Sequence, residues 1–244
     1  MTSLKELVQG SFARMGIRVS RLGQFPVGND LCFDLKRIGS TDRFSTIFDV
    51  GANAGRSVLT YAAGFPKAKI YSFEPVKATY DQLVVAAKGL PNVRCFQFAM
   101  GDTEGSLEIY LQKSSEWNSL TAPLNERRSA ESSAKETIQI RKVDDFCAAE
   151  GITSIDLLKT DTEGFDIQVL RGAERMLTSG KVKFVYSEVT LNPEDDVHTN
   201  FFKLHEYLEP LGFRFVALYE QDVYDNLGGA NYTNALYVNR NATV

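Results

Sequence analysis

A short apolar strand running into a two-glycine loop, answered by a second strand that ends in a carboxylate, limits this chain more than any other feature. The residues are Ile47-Phe-Asp-Val-Gly-Ala-Asn-Ala-Gly55 and Ile70-Tyr-Ser-Phe-Glu-Pro75. Ile47 to Val50 reads as a buried parallel strand, because the run is short, rich in β-formers and closed by glycine. Gly51 and Gly55 permit a sharp turn and a close approach of backbone to ligand. Arg56-Ser-Val-Leu-Thr-Tyr-Ala-Ala63 then opens a helix whose first N–H groups face the same crevice. Glu74 is placed to accept hydrogen bonds from the two hydroxyls of a ribose. An adenosine-bearing ligand is the expectation. The alternative is an ordinary strand-to-helix turn that happens to contain glycines.

The loop also says which adenosine ligand to expect. A dinucleotide site shows G-x-G-x-x-G, whose middle glycine admits the pyrophosphate. Here Asp49-Val-Gly-Ala-Asn-Ala-Gly55 keeps only the outer glycines and puts an acid in front. Asp49 repels a pyrophosphate and suits the ammonium and sulfonium charges of S-adenosylmethionine. The expected contacts in this stretch are Asp49, Gly51, Ala52, Asn53, Gly55, Glu74 and Pro75.

At 244 residues the chain can form one α/β domain with a sizeable core. A net charge of −4 without a dense Lys/Arg cluster argues against a nucleic-acid or anionic-membrane partner. Cys32, Cys95 and Cys147 are scattered and lack C-x-x-C spacing, so they read as reduced thiols of a cytoplasmic protein. No apolar run reaches the length of a membrane span, and no signal-peptide core opens the chain.

Strands alternate with helices along the chain. Strands are expected at 47–50, 70–74, 94–99, 155–160, 182–188, 213–219 and 235–239, with helices at 55–63, 76–88, 165–178 and 199–211. Two further strands (106–111 and 137–141) and a helix (143–150) are inserted before the fourth core strand. This order implies an α/β fold, a doubly wound, mostly parallel seven-stranded sheet with helices on both faces. The last two strands are expected to pair as a hairpin, one of them antiparallel. Residues 1–44 read as a small helical extension suited to an acceptor or homodimer contact. They carry an amphipathic helix at 3–15 (Leu4, Leu7, Val8 and Phe12 on one face) and a short helix near 30–38. Residues 45–244 form the cofactor-binding domain. The polar segment 113–135 is expected to be loop, with Trp117, Asn118 and Ser119 as a candidate lid.

Open α/β sheets bind ligands at the carboxyl ends of their strands. Besides Asp49 and Glu74, strand three delivers Ala99-Met100-Gly101, placed to flank an adenine ring. Strand four delivers Lys159-Thr-Asp161-Thr-Glu163-Gly164, and strand five Tyr186-Ser-Glu188. Four strands thus end in acids on one rim. A cationic sulfonium cofactor gives that acidity a reason.

Asp-Val-Gly-Ala-Asn-x-Gly (49–55), Phe-Glu-Pro (73–75), Ala-x-Gly-Asp (99–102), Asp-Leu-Leu-Lys-x-Asp-x-Glu-Gly (156–164) and Val-Leu-x-Gly-Ala (169–173) together resemble the FkbM family. Thr160 and Thr162 depart from it where aliphatic residues are usual. The resemblance implies a class I, Rossmann-like methyltransferase fold, S-adenosyl-L-methionine as cofactor, and methyl transfer to a hydroxyl of a sugar, glycan or secondary metabolite. It does not name the acceptor.

Displacement at the sulfonium methyl needs alignment, and an alcohol nucleophile also wants a base or a metal. Asp161 is the leading active-site candidate, for cofactor or acceptor; otherwise it caps the helix that follows. Glu188 and His198 are the other catalytic candidates, and Lys159 can pair with Asp161. His205, Phe184 and Tyr186 read as packing residues. Asp161 and Glu188 without a clear third ligand are weak support for a cation, so no metal is expected. The competing functions are a nicotinamide-dependent oxidoreductase and a non-catalytic cofactor-binding module.

Overall fold

The strand expected from Ile47 forms the centre of a computed structural model that describes residues 24–39, 43–111, 134–195, 197–220 and 232–242, with scattered positions between 8 and 16. This strand, β1 (Thr46–Val50), pairs in parallel with β2 (Lys69–Phe73) on one side and β7 (Ile155–Thr160) on the other. β3 (Val93–Phe96) lies beyond β2. Beyond β7 come β8 (Val182–Thr190), β10 (Tyr232–Asn239) and β9 (Phe213–Tyr219), in the order β3-β2-β1-β7-β8-β10-β9. β10 is antiparallel to both neighbours, as the expected hairpin requires. This is the doubly wound, mostly parallel, Rossmann-like sheet that the alternation of strands and helices implies.

Alternation along the strands builds a core on each face. Ile47 and Leu157 pack with Leu35 of α1 (Leu31–Gly39) and Tyr61 of α2 (Arg56–Gly64). On the other face, Phe48, Val50 and Leu158 pack with Phe146 of α4 (Val143–Glu150), Val169 of α5 (Asp166–Arg171) and Leu204 of α7 (Phe201–Leu208). Each such apolar side chain contributes about 1.5–3 kcal/mol by leaving water. Residues buried on both sides explain why β1 and β7 read as continuous apolar runs. Phe184 and Tyr186 are buried in this core, and His205 is half-buried with its ring stacked on Phe201.

Two elements depart from expectation. The third strand does not run through to residue 99. Phe96 pairs with Phe73, the last residue of β2, so the ladder has no partner beyond it. The chain bends there and re-pairs as β4 (Ala99–Met100) with β6 (Ala134–Arg141), which also pairs with β5 (Gly105–Leu111) in a separate three-stranded sheet. β6 therefore takes in residues 134 and 135, which the sequence places in a loop. The helix over 165–178 is broken into α5 and α6 (Glu174–Thr178). At the break the Gly172 carbonyl accepts from the Asp144 N–H at 2.9 Å, and the Asp144 carboxylate caps α6 through the Arg175 and Met176 N–H groups.

α3 (Lys77–Ala86) covers the first turn of α2. Within the expected extension, α1 docks on the sheet through Leu35, while the described Val8 and Phe12 are exposed. Trp117, Asn118 and Ser119 lie outside the described residues. Among the described residues, no helix is long and apolar enough to cross a membrane.

Candidate active site

The sheet changes winding direction between β1 and β7, and a crevice opens at their carboxyl ends. Gly51 follows β1, and its N–H and that of Ala52 both donate to the Phe73 carbonyl at 3.0 Å. Gly51 has φ 73°, and a Cβ there would lie 1.8 Å from the Asp161 carbonyl oxygen. Only glycine lets the loops after β1 and β7 touch.

Glu74 is held from both sides. Its Oε2 accepts from the Asn53 N–H at 3.1 Å and its Oε1 from the Val76 N–H at 3.0 Å. An ionised carboxylate offers about four acceptor positions, so two remain. Burial pushes the Glu74 pKa up to about 7, against the opposing pull of the two N–H groups and Lys159.

The cleft beside Glu74 encloses about 650 Å³, counted out to its open mouth. Phe73, Val76, Ala99, Met100, Ile109 and Phe165 make apolar walls, and Asp161, Thr162 and Glu163 form the far end. Of the expected cofactor contacts, Gly51, Asn53, Glu74, Pro75, Ala99, Met100 and Asp161 line it. Ala52, Gly55 and Gly101 are not among the lining residues. Ala52 packs on Val58 and Leu83, Gly55 leaves room for Ala86, and Gly101 for Ile140.

Asp49 is the main correction. It does not stand at the rim: it is fully buried, with Oδ2 accepting from the Ser57 hydroxyl at 2.7 Å and Oδ1 in an ion pair with Lys159 Nζ at 3.1 Å. Lys159 sits opposite Asp49 in the strand register, which neutralises the acid inside the sheet. The same ammonium donates to the Gly51 carbonyl at 2.7 Å and lies 3.4 Å from Asp161 Oδ2, the pairing expected from the sequence. Burial pushes the Lys159 pKa down, but Asp49 and Asp161 outweigh burial and hold it above the ordinary lysine value. The glycine loop is thus clamped by a charged lysine.

The far end gathers a second polar group. Gly164 has φ 90°, and a Cβ there would fall 1.8 Å from the Val197 carbonyl oxygen. That approach brings His198 onto the loop after β7. His198 Nδ1 meets Asp195 Oδ2 at 2.7 Å, Nε2 lies 3.5 Å from Glu163 Oε2, and the ring stacks on Tyr232. Glu163, Glu188 and His198 each offer one ligand-capable atom within 4.8 Å of the others. This set differs from the Asp161 and Glu188 pair considered from the sequence: Glu188 is shared, Glu163 takes the place of Asp161, and His198 adds a nitrogen. Glu188 Oε2 is buried without a hydrogen-bond partner among the described residues. Burial, then the Asp161, Glu163 and Asp166 carboxylates, raise the Glu188 pKa strongly. Asp161 does not cap a helix: α5 starts at Asp166 with no side-chain cap.

Sequence reasoning missed Asp195 and the walls Val76, Ile109 and Phe165. The Asp195-x-x-His198 spacing within a turn was a usable signal for the first. Ile109 arrives on the inserted sheet and had none.

A family profile described as the methyltransferase FkbM domain matches residues 49–215, more than half of the chain. The chain belongs to the FkbM methyltransferase family. Its curated relatives include 2-O-methyltransferase NoeI of Sinorhizobium fredii, 28% identical in an alignment of 152 residues, with 58% of this chain and 62% of the relative covered. Methyltransferase sdnD of Sordaria araneosa is 27% identical over 172 residues, 59% of this chain and 65% of that one. The chain spans under two thirds of the length of these curated relatives. Among solved structures, the fibrillarin/Nop5p complex aligns at a TM-score of 0.49 and 14% identity, covering 80% of this chain and 72% of that one.

S-adenosyl-L-methionine is the cofactor of this FkbM domain, and the donor set fits it. Apolar walls suit a flat base, Glu74 keeps two acceptor positions for a ribose diol, and Asp161 suits an ammonium. Among the described residues lining the cleft there is no Lys, Arg or His, so a nicotinamide pyrophosphate would meet acids there without a neutralising cation.

Proposed function

We propose that this FkbM domain transfers the methyl group of S-adenosyl-L-methionine to a hydroxyl oxygen of a saccharide or other small polyhydroxylated acceptor. Bound in the cleft, the cofactor would supply an electrophilic methyl: an O–C bond would form as the C–S bond breaks, the electron pair staying on sulfur and the hydroxyl proton passing to solvent. Glu74 anchors the ribose, the Gly51 loop fixes the methionine portion, and Asp161 orients its ammonium. Alignment alone supplies much of the rate, since positioning of this kind has large effective molarity. Glu163, Glu188 and His198 face the acceptor side and hold its hydroxyl.

The observation that carries this reading is the polarity of the cleft, with a diol-binding carboxylate at one end and an acid cluster beside Asp161 at the other. The relative NoeI is named for 2-O-methylation, which supports a hydroxyl acceptor. Calorimetry against S-adenosylhomocysteine and NAD, followed by labelled-methyl transfer to a panel of glycosides and polyketides, tests it. Binding of NAD in preference to the nucleoside thioether overturns the cofactor assignment. Cofactor binding without transfer to any hydroxyl acceptor leaves a binding module.

A further inference from the structure

Three side chains from three separate segments converge beside the cofactor cleft: Glu163 after β7, Glu188 in β8 and His198 in the loop before α7. One oxygen or nitrogen of each lies within 4.8 Å of the other two. Ligand atoms about 2.0–2.2 Å from a shared ion stand at most about 4.4 Å apart, so closure takes only a few tenths of an ångström.

The surroundings point the same way. His198 Nδ1 is bonded to Asp195 at 2.7 Å, which fixes the ring and leaves Nε2 facing Glu163 and Glu188. A carboxylate on the far nitrogen is how metal-bound histidines are oriented. Tyr232 stacks on the ring at 5.3 Å and restricts it further. Glu188 Oε2 is buried and no donor of known geometry meets it among the described residues; its carboxyl instead lies against that of Asp161, an acid–acid contact that a cation would relieve. Charge is also unbalanced. Asp161, Glu163 and Asp166 crowd around Glu188, and Glu163 and Asp195 meet the one imidazole, while Lys159, the nearby ammonium, is held by Asp49 and the Gly51 carbonyl.

We propose that Glu163, Glu188 and His198 form a divalent-cation site, its nitrogen ligand favouring Mn²⁺, Fe²⁺ or Zn²⁺ over Mg²⁺ or Ca²⁺. The site stands on its own geometry; its use rests on the methyl-transfer reading above. There, a bound cation would take the acceptor hydroxyl as a further ligand and ease loss of its proton to solvent. Two carboxylates and a neutral imidazole leave positions open for such a ligand.

The test is titration of metal-stripped full chain with MnCl₂, followed by the paramagnetic resonance of free Mn²⁺. One equivalent should bind. Glu163→Gln, Glu188→Gln and His198→Asn should each weaken binding at least tenfold, and Asp195→Asn by about 10- to 100-fold through the ring it orients. Equimolar ZnCl₂ should displace the ion and equimolar MgCl₂ should not. Affinity for S-adenosylhomocysteine, measured on every variant, reports whether the fold survives. Lack of saturable Mn²⁺ binding to the wild type, or binding unchanged in the Gln and Asn variants, overturns the site. Displacement by MgCl₂ overturns the nitrogen ligand. Normal thioether binding beside absent Mn²⁺ binding sinks this inference alone; the reverse result sinks the methyl-transfer reading and leaves the cation site standing.

Discussion

Asp49 and Lys159 stand opposite each other in the register of the two central strands, 3.1 Å between Oδ1 and Nζ, with both side chains buried. The pair does structural work for the cleft without lining it. Lys159 reaches the Gly51 carbonyl at 2.7 Å, so a salt bridge inside the sheet fixes the loop outside it.

Removing one partner strands a buried charge, which costs about 3–5 kcal/mol. Lys159→Met should lose that much in urea unfolding. Asp49→Asn combined with Lys159→Met should recover part of it, because the orphaned carboxylate is gone. Strictly additive losses would show that the two groups are not coupled.

Glu74 makes cofactor affinity depend on pH. Burial lifts its pKa from an ordinary 4.5 to about 7, so between those values the folded protein holds a proton that the unfolded chain has released. For this group, stability is greatest at low pH and falls as pH rises through that window. A ribose diol donates to the ionised form, so S-adenosylhomocysteine should bind more tightly as pH climbs towards 7 and level off above it. Glu74→Gln should flatten the profile and weaken binding by about 10- to 150-fold, the value of about 1.5–3 kcal/mol for charge-assisted hydrogen bonds. A slope retained in the Gln variant would assign the titration elsewhere.

Local chemistry was legible in the sequence and long-range convergence was not. The glycine loop, the tip carboxylate Glu74 and the strand–helix alternation each depend on neighbours along the chain, and each reads directly. The break between β3 and β4 depends on where β2 ends, which nothing near Gln97 encodes. Asp49 looked like a ligand group because its position at the loop is clear, whereas its partner lies 110 residues away in β7. Glu163, Glu188 and His198 meet because Gly164 lets the Val197 carbonyl approach, a fact of packing between two loops. Periodicity carries no register for loops.

Asp144 closes a gap the broken helix creates. Its two oxygens accept from the Arg175 and Met176 N–H groups at 2.8 and 3.0 Å, capping α6 just after the chain turns at Gly172. Asp144→Ala should cost about 1–2 kcal/mol of unfolding free energy, the range for a lost cap. Cofactor affinity should not change, since Asp144 does not line the cleft. A variant as stable as the wild type would mean that water replaces the cap without loss.

The two loop glycines should separate cofactor binding from transfer. Both adopt positive φ, and at both a Cβ would meet a backbone carbonyl oxygen at 1.8 Å, from Asp161 for Gly51 and from Val197 for Gly164. Neither clash is relieved by a side-chain rotation, so each alanine must shift one loop off another. Gly51→Ala moves the loop that follows β1 and should abolish S-adenosylhomocysteine binding. Gly164→Ala moves the segment that carries His198 away from Glu163 while Glu74 and Gly51 stay in place. It should keep thioether affinity within a few-fold of wild type and lose methyl transfer to hydroxyl acceptors. Full transfer by the Gly164 variant would show that His198 is dispensable, because the glycine's role is to hold that histidine against the loop after β7.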